Sequence, residues 1–126
     1  MSSAVEQGMD RARRELAAAR LLAAHGFRAQ AVSRSYYAAF YASEAALLHI
    51  GEARTKHAGV VAAVGRLLVR RRGLDEDVGR LLRSLFERRS QADYDLAEVP
   101  GEEAERAVVD SERVVELLDQ WLRQQR

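Results

Sequence analysis

The sequence predicts an all-α domain, an antiparallel up-and-down bundle of about five helices filling residues 1–126. Three observations carry that prediction. Ala, Leu, Arg and Glu dominate the 126 residues, and all four are good helix formers. Proline is reduced to Pro100 and aromatic residues make up only 6%, so strand-forming composition is lacking. Apolar residues recur at three- and four-residue intervals over long stretches, and short connections between helices of similar length favour antiparallel neighbours.

The first helix is expected over about Ala4 to Ala24, with Val5, Met9, Ala12, Leu16, Ala19 and Ala23 on one face. Gly26 supplies a left-handed cap after it. The second, about Arg28 to Ile50, carries Val32, Tyr36, Ala39, Ser43, Ala46, Leu47 and Ile50 on one line and Tyr37, Tyr41 and Leu48 on another. A helix apolar over so much of its circumference is central to the bundle or packs against a second subunit. Gly51 stops it. Thr55 is placed to cap a third helix, about Lys56 to Arg72, whose inner line is Val60, Val61, Val64, Leu67 and Leu68. After Gly73, Asp75 can cap a fourth helix, about Glu76 to Gln91. Residues 92–101 read as a loop. The fifth helix runs to about Gln124 and turns Ala104, Ala107, Val108, Ser111, Val114, Val115, Leu118, Trp121 and Leu122 inward.

Composition removes several classes of function. The absence of cysteine excludes disulfides, thiolate metal sites and a cysteine nucleophile. The apolar runs are far shorter than the roughly 20 residues that span a bilayer, and the first residues lack a signal-peptide pattern, so a cytoplasmic address without membrane contact is expected. No GxxxxGK[ST], GxGxxG or HExxH pattern occurs, and three scattered His residues give no zinc spacing. No metal or other cofactor is expected. Charge is uneven although the total is +1: residues 1–53 carry +1, residues 54–89 carry +6 and residues 90–126 carry −6. Either the acidic last helix neutralises the basic middle, or the middle lines a basic cleft.

One residue breaks the pattern of the fourth helix. With Val78 as zero and 100° per residue, Leu81, Leu82, Leu85 and Phe86 form one apolar stripe, and Arg89 falls near its centre. Arg88 lies at the edge. A guanidinium facing a core needs a carboxylate partner, a wet cleft or a subunit boundary. Asp93 and Asp95 are the nearest carboxylates in sequence. The arrangement is either a structural ion pair or an Arg presented to phosphate. His57, at the start of the third helix beside Lys56, is either a packing residue or a general base or donor to phosphate, with its protonated form disfavoured by helix dipole and basic neighbours. Tyr36, Tyr37, Phe40 and Tyr41 cluster at helical spacing, which reads as core more than as a base-stacking platform.

Three stretches, Ala31-Val32-Ser33-Arg34-Ser35-Tyr36-Tyr37-Ala38-Ala39-Phe40-Tyr41, Thr55-Lys56-His57-Ala58-Gly59-Val60 and Arg88-Arg89-Ser90-Gln91-Ala92-Asp93-Tyr94, resemble in order and spacing the small single-domain HEPN proteins of bacteria and archaea. The resemblance covers about residues 10–122. It implies a helical bundle, a homodimer, and a toxin–antitoxin pairing with a minimal nucleotidyltransferase. Active members are metal-independent RNases whose Arg and, four to six residues on, His form one composite site across the dimer. Arg89 matches that Arg, whereas Tyr94 stands where the His is expected. The resemblance therefore implies Arg89, Tyr94, Asp93 and His57 as catalytic candidates, and Arg88, Lys56 and Tyr36 as candidates for contact with nucleotide or RNA. A non-catalytic helical dimer acting as a protein-interaction adaptor is the alternative.

Overall fold

Helix α1, Ser3–Ala24, begins where the Ser2 hydroxyl accepts a bond from the Val5 amide, and it ends in a Schellman turn. Gly26 takes a positive φ of 82° there, while Phe27 N–H donates to Leu22 O and Gly26 N–H to Ala23 O. The turn sends α2, Arg28–His49, back along α1. Gly51, at φ 74°, closes α2 in the same way, with Glu52 N–H donating to Leu47 O. A side chain at either glycine would be strained by that backbone. This computed structural model describes residues 1–94 and 98–125.

The third helix differs from its sequence expectation. Helix α3 covers His57–Ala63, and the chain then widens into a π-helical segment, Val64–Arg70. Lys56, not Thr55, stands at the cap position, and no side chain bonds the first amides. Val60, Val61, Val64, Leu67 and Leu68 nevertheless all face inward. The stretch ends at Gly73, φ 70°, where Leu74 N–H reaches back to Leu68 O. Helix α4, Glu76–Tyr94, starts under an Asp75 carboxylate that accepts from the Asp77 amide at 2.9 Å. It continues past Gln91, so Ala92, Asp93 and Tyr94 are helical and not part of a loop. That extra turn places Asp93 one turn above Arg89. Helix α5 covers Gly101–Gln124.

Cross-helix pairs fix the directions. Arg13 meets Asp119 and Arg20 meets Glu112, so α1 and α5 run antiparallel. Arg88 meets Asp110 and Arg113 meets Asp77, so α4 and α5 also run antiparallel. Ser111 Oγ donates to Ser35 O at 2.6 Å, and Trp121 lies edge-on to His49, which makes α2 and α5 a parallel diagonal. The result is an up-and-down four-helix ring of α1, α2, α4 and α5, with α3 and the π segment laid against α2 and α4. As expected, α2 is central, buried along most of its length. Leu48 departs from that expectation and is exposed. No helix among the described residues is long and apolar enough to cross a membrane.

Candidate functional site

The inner stripe of α4 behaves as its periodicity demands. Val78, Leu81, Leu82 and Leu85 are buried, and the next turn carries Phe86 and then Arg89. Arg89 is drawn in behind them, its side chain only 17% exposed. Its Cζ lies 5.3 Å from the ring centre of Tyr36, 5.7 Å from that of Tyr37 and 5.9 Å from that of Phe86. The negative faces of aromatic rings attract such a cation. Nη1 donates to Asp93 Oδ2 at 3.1 Å, whereas Nε is buried with no partner among the described residues. A buried guanidinium N–H without an acceptor is costly. Of the two carboxylates anticipated for Arg89, Asp93 fills the role, and Asp95 lies outside the described residues.

His57 approaches the same rings from α3. It stacks on Phe40 at 4.4 Å between ring centres, parallel to within 15°, and lies near Tyr36 and Phe86. Its Nδ1 is 2.6 Å from the Tyr36 hydroxyl. Burial depresses the affinity of His57 for a proton below its ordinary value, and the Arg89 guanidinium depresses it further. The direction is the one anticipated from sequence, but its causes are the apolar walls and a residue from another helix. Burial likewise raises the Tyr36 phenol above its ordinary range, with Arg89 opposing in part. Both groups are thus held neutral at pH 7.

The seven candidates separate. Arg89, Asp93, His57 and Tyr36 converge on one corner between α2, α3 and α4. Tyr36 is fully buried, so it reaches that corner only through its hydroxyl on His57 and offers no face to a base. Lys56 is exposed beside His57, and Tyr94 is exposed beyond Asp93 at the end of α4. Arg88 turns the other way: it pairs with Asp110 of α5 at 2.8 Å, in a polar groove that also holds Arg80, Ser84 and Arg113. Sequence reading did not identify Tyr36 as the partner of His57, nor Phe40 and Phe86 as its walls. Among the described residues, no cluster of three or more acidic or imidazole side chains could hold a metal ion.

The HEPN domain pattern matches residues 5–121. The chain belongs to the HEPN family. This HEPN chain is 32% identical over 113 residues to a protein named as a candidate toxin in Methanocaldococcus jannaschii, a match that covers 90% of this chain and 84% of the relative. It is 38% identical over 90 residues to a UPF0332 protein of Thermotoga maritima, covering 71% of this chain and 68% of the relative. A UPF0332 protein of Gloeobacter violaceus is 37% identical over 86 residues, or 68% of each chain.

Proposed function

We propose that this HEPN protein is the toxin-type member of a pair with a minimal nucleotidyltransferase. In this reading it works as a homodimer and binds the phosphate of RNA or of a nucleotide at the corner formed by Arg89 and His57. The observation that carries the reading is the state of Arg89: a largely covered cation whose Nε lacks an acceptor. A structural ion pair would use the guanidinium fully, and this one leaves part of it unused. The relative named as a candidate toxin supports the same class of function.

Metal-independent cleavage of RNA is the reaction such a corner would serve. A ribose 2′-hydroxyl gives its proton to solvent water and bonds to the adjacent phosphorus. The P–O5′ bond breaks with the 5′-oxygen taking a proton from water, a 2′,3′-cyclic phosphate remains, and Arg89 stabilises the charge that builds on the phosphoryl oxygens. Tyr94, in the place of the motif His, favours a second reading, a non-catalytic dimer that acts as an adaptor. Incubating purified protein with RNA in the presence of a chelator tests the choice. Cleavage that is lost in Arg89→Ala supports the nuclease, and equal cleavage by both removes Arg89 from the mechanism. No cleavage, with RNA binding that depends on Arg89, assigns a binding module. Sedimentation of species no larger than 14.1 kDa at micromolar concentration would count against the homodimer.

A further inference from the structure

We propose that Tyr36 is a positioning residue that holds neutral His57 with its proton on Nε2, so that His57 meets a ligand as a hydrogen-bond donor beside Arg89. The ligand class is a phosphate group, and the pair forms a two-donor clamp for its oxygens. The ligand assignment rests on the reading above; the tautomer assignment does not.

The argument is one of hydrogen-bond accounting. Tyr36 is fully buried with its ring packed against Tyr37, Phe40 and Phe86, and the one partner of its hydroxyl among the described residues is His57 Nδ1, at 2.6 Å. Two arrangements satisfy that distance. If Nδ1 carried the proton and donated to the phenol oxygen, the phenol proton would be left without an acceptor in an apolar setting. If the phenol donates to Nδ1, both groups are satisfied by one bond. Buried polar hydrogens find acceptors, so the second arrangement holds. A neutral imidazole whose Nδ1 accepts must carry its proton on Nε2. Protonating the ring would reverse the bond and strand the phenol, beside a guanidinium that already opposes positive charge.

Nε2 is free to act. Among the described residues it makes no hydrogen bond, and it is not among the polar atoms sealed from solvent without a partner, which are Ser35 Oγ and Arg89 Nε. The ring is half-buried. Since Nδ1 is occupied and Nε2 is protonated, neither nitrogen has a lone pair to offer as a base. His57 therefore stabilises an oxyanion and does not take a proton from an attacking hydroxyl.

Nitrogen-15 NMR of histidine-labelled protein at pH 7.5 tests this without any substitution. His57 should show a protonated Nε2 and an unprotonated Nδ1, and the opposite pattern overturns the proposal. Tyr36→Phe, if it folds, should release His57 toward a mixture of tautomers with His25 and His49 unmoved; an unchanged His57 would remove Tyr36 as the cause. Inorganic phosphate and a short RNA are then titrated separately. Shifts of His57 Nε2 with either, lost in Arg89→Ala, support the clamp, and saturation by RNA but not by phosphate identifies a polynucleotide source. A failure of both to move Nε2 overturns the clamp. RNA binding that fails while phosphate still moves Nε2 sinks the RNA reading of the function and leaves the tautomer and clamp standing.

Discussion

The Tyr36 hydroxyl lies 2.6 Å from His57 Nδ1, joining the middle of α2 to the first turn of α3 within a shell of aromatic rings. Arg89 stands over the same phenol ring from α4. Three helices thus meet at one tyrosine, and the behaviour of the corner follows from that meeting.

Arg89→Ala should weaken RNA or phosphate binding by roughly 10- to 100-fold, the worth of a charge-assisted bond of about 1.5–3 kcal/mol. Stability should hardly fall, because the substitution also removes a buried N–H that lacks an acceptor. Titration calorimetry with a thermal melt on the same sample checks both. A large drop in melting temperature together with retained binding would show that the residue is structural.

Asp93→Asn should tighten phosphate binding by roughly two- to five-fold. Asp93 accepts from Arg89 Nη1 at 3.1 Å with its own carboxylate 37% exposed, and a single bond of that kind is worth about 0.2–1 kcal/mol. A ligand must displace it, so removing the charge removes the competitor. If Asp93 instead acts in catalysis, the same substitution lowers cleavage, and comparing binding with turnover separates the two.

Stability should depend on His57 in acid. Its folded-state proton affinity lies below the ordinary value of 6.5, because burial and Arg89 disfavour the cation. The unfolded chain therefore binds the proton first as pH falls through 6.5. Folded stability drops from there until the lower folded value is passed. Tyr36, Tyr37, Arg89 and the adjacent Lys56 are the titratable groups that face it. Urea unfolding of wild type and His57→Gln between pH 7.5 and 5 should show wild type losing ground to the variant. A pH-independent difference would contradict the assignment.

Gly8→Val should lower the melting temperature by several degrees. A Cβ at position 8 would stand 3.0 Å from Ala45 Cβ, where α1 packs on α2, and overpacking of this kind costs about 1–3 kcal/mol. Gly65→Ala serves as the control, since nothing lies within 4 Å of its added carbon.

Most of the bundle was legible because it depends on period and punctuation. The inward lines of α1, α4 and α5 are the buried ones, apart from Ala23 and Phe86, which are partly buried, and Gly26, Gly51 and Gly73 take the left-handed turns that end helices. Arg89 could be singled out because a charge in an apolar stripe is visible in one dimension. Its partners were less accessible. Asp93 could be anticipated only as a near neighbour, since residues 92–94 read as loop until their helical register places the carboxylate one turn above the guanidinium. The Tyr36–His57 bond joins residues that share no local period, and only the packing of α3 across α2 brings them together. The π segment was equally hidden, because its apolar positions satisfy an α-helical pattern as well. Arg88 and Arg89, adjacent in sequence, part company because 100° of rotation sends one to α5 and the other to the rings.

The wide turn at Val64–Arg70 also bears on how this chain tolerates insertions and deletions. A π turn accommodates about one residue more than an α turn over the same path. Deleting a residue there lets the backbone close as an ordinary α-helix while Gly73 and everything beyond it stay in register. The same deletion in the middle of α2 would swing every later side chain by about 100° and carry Leu47 out of the interior.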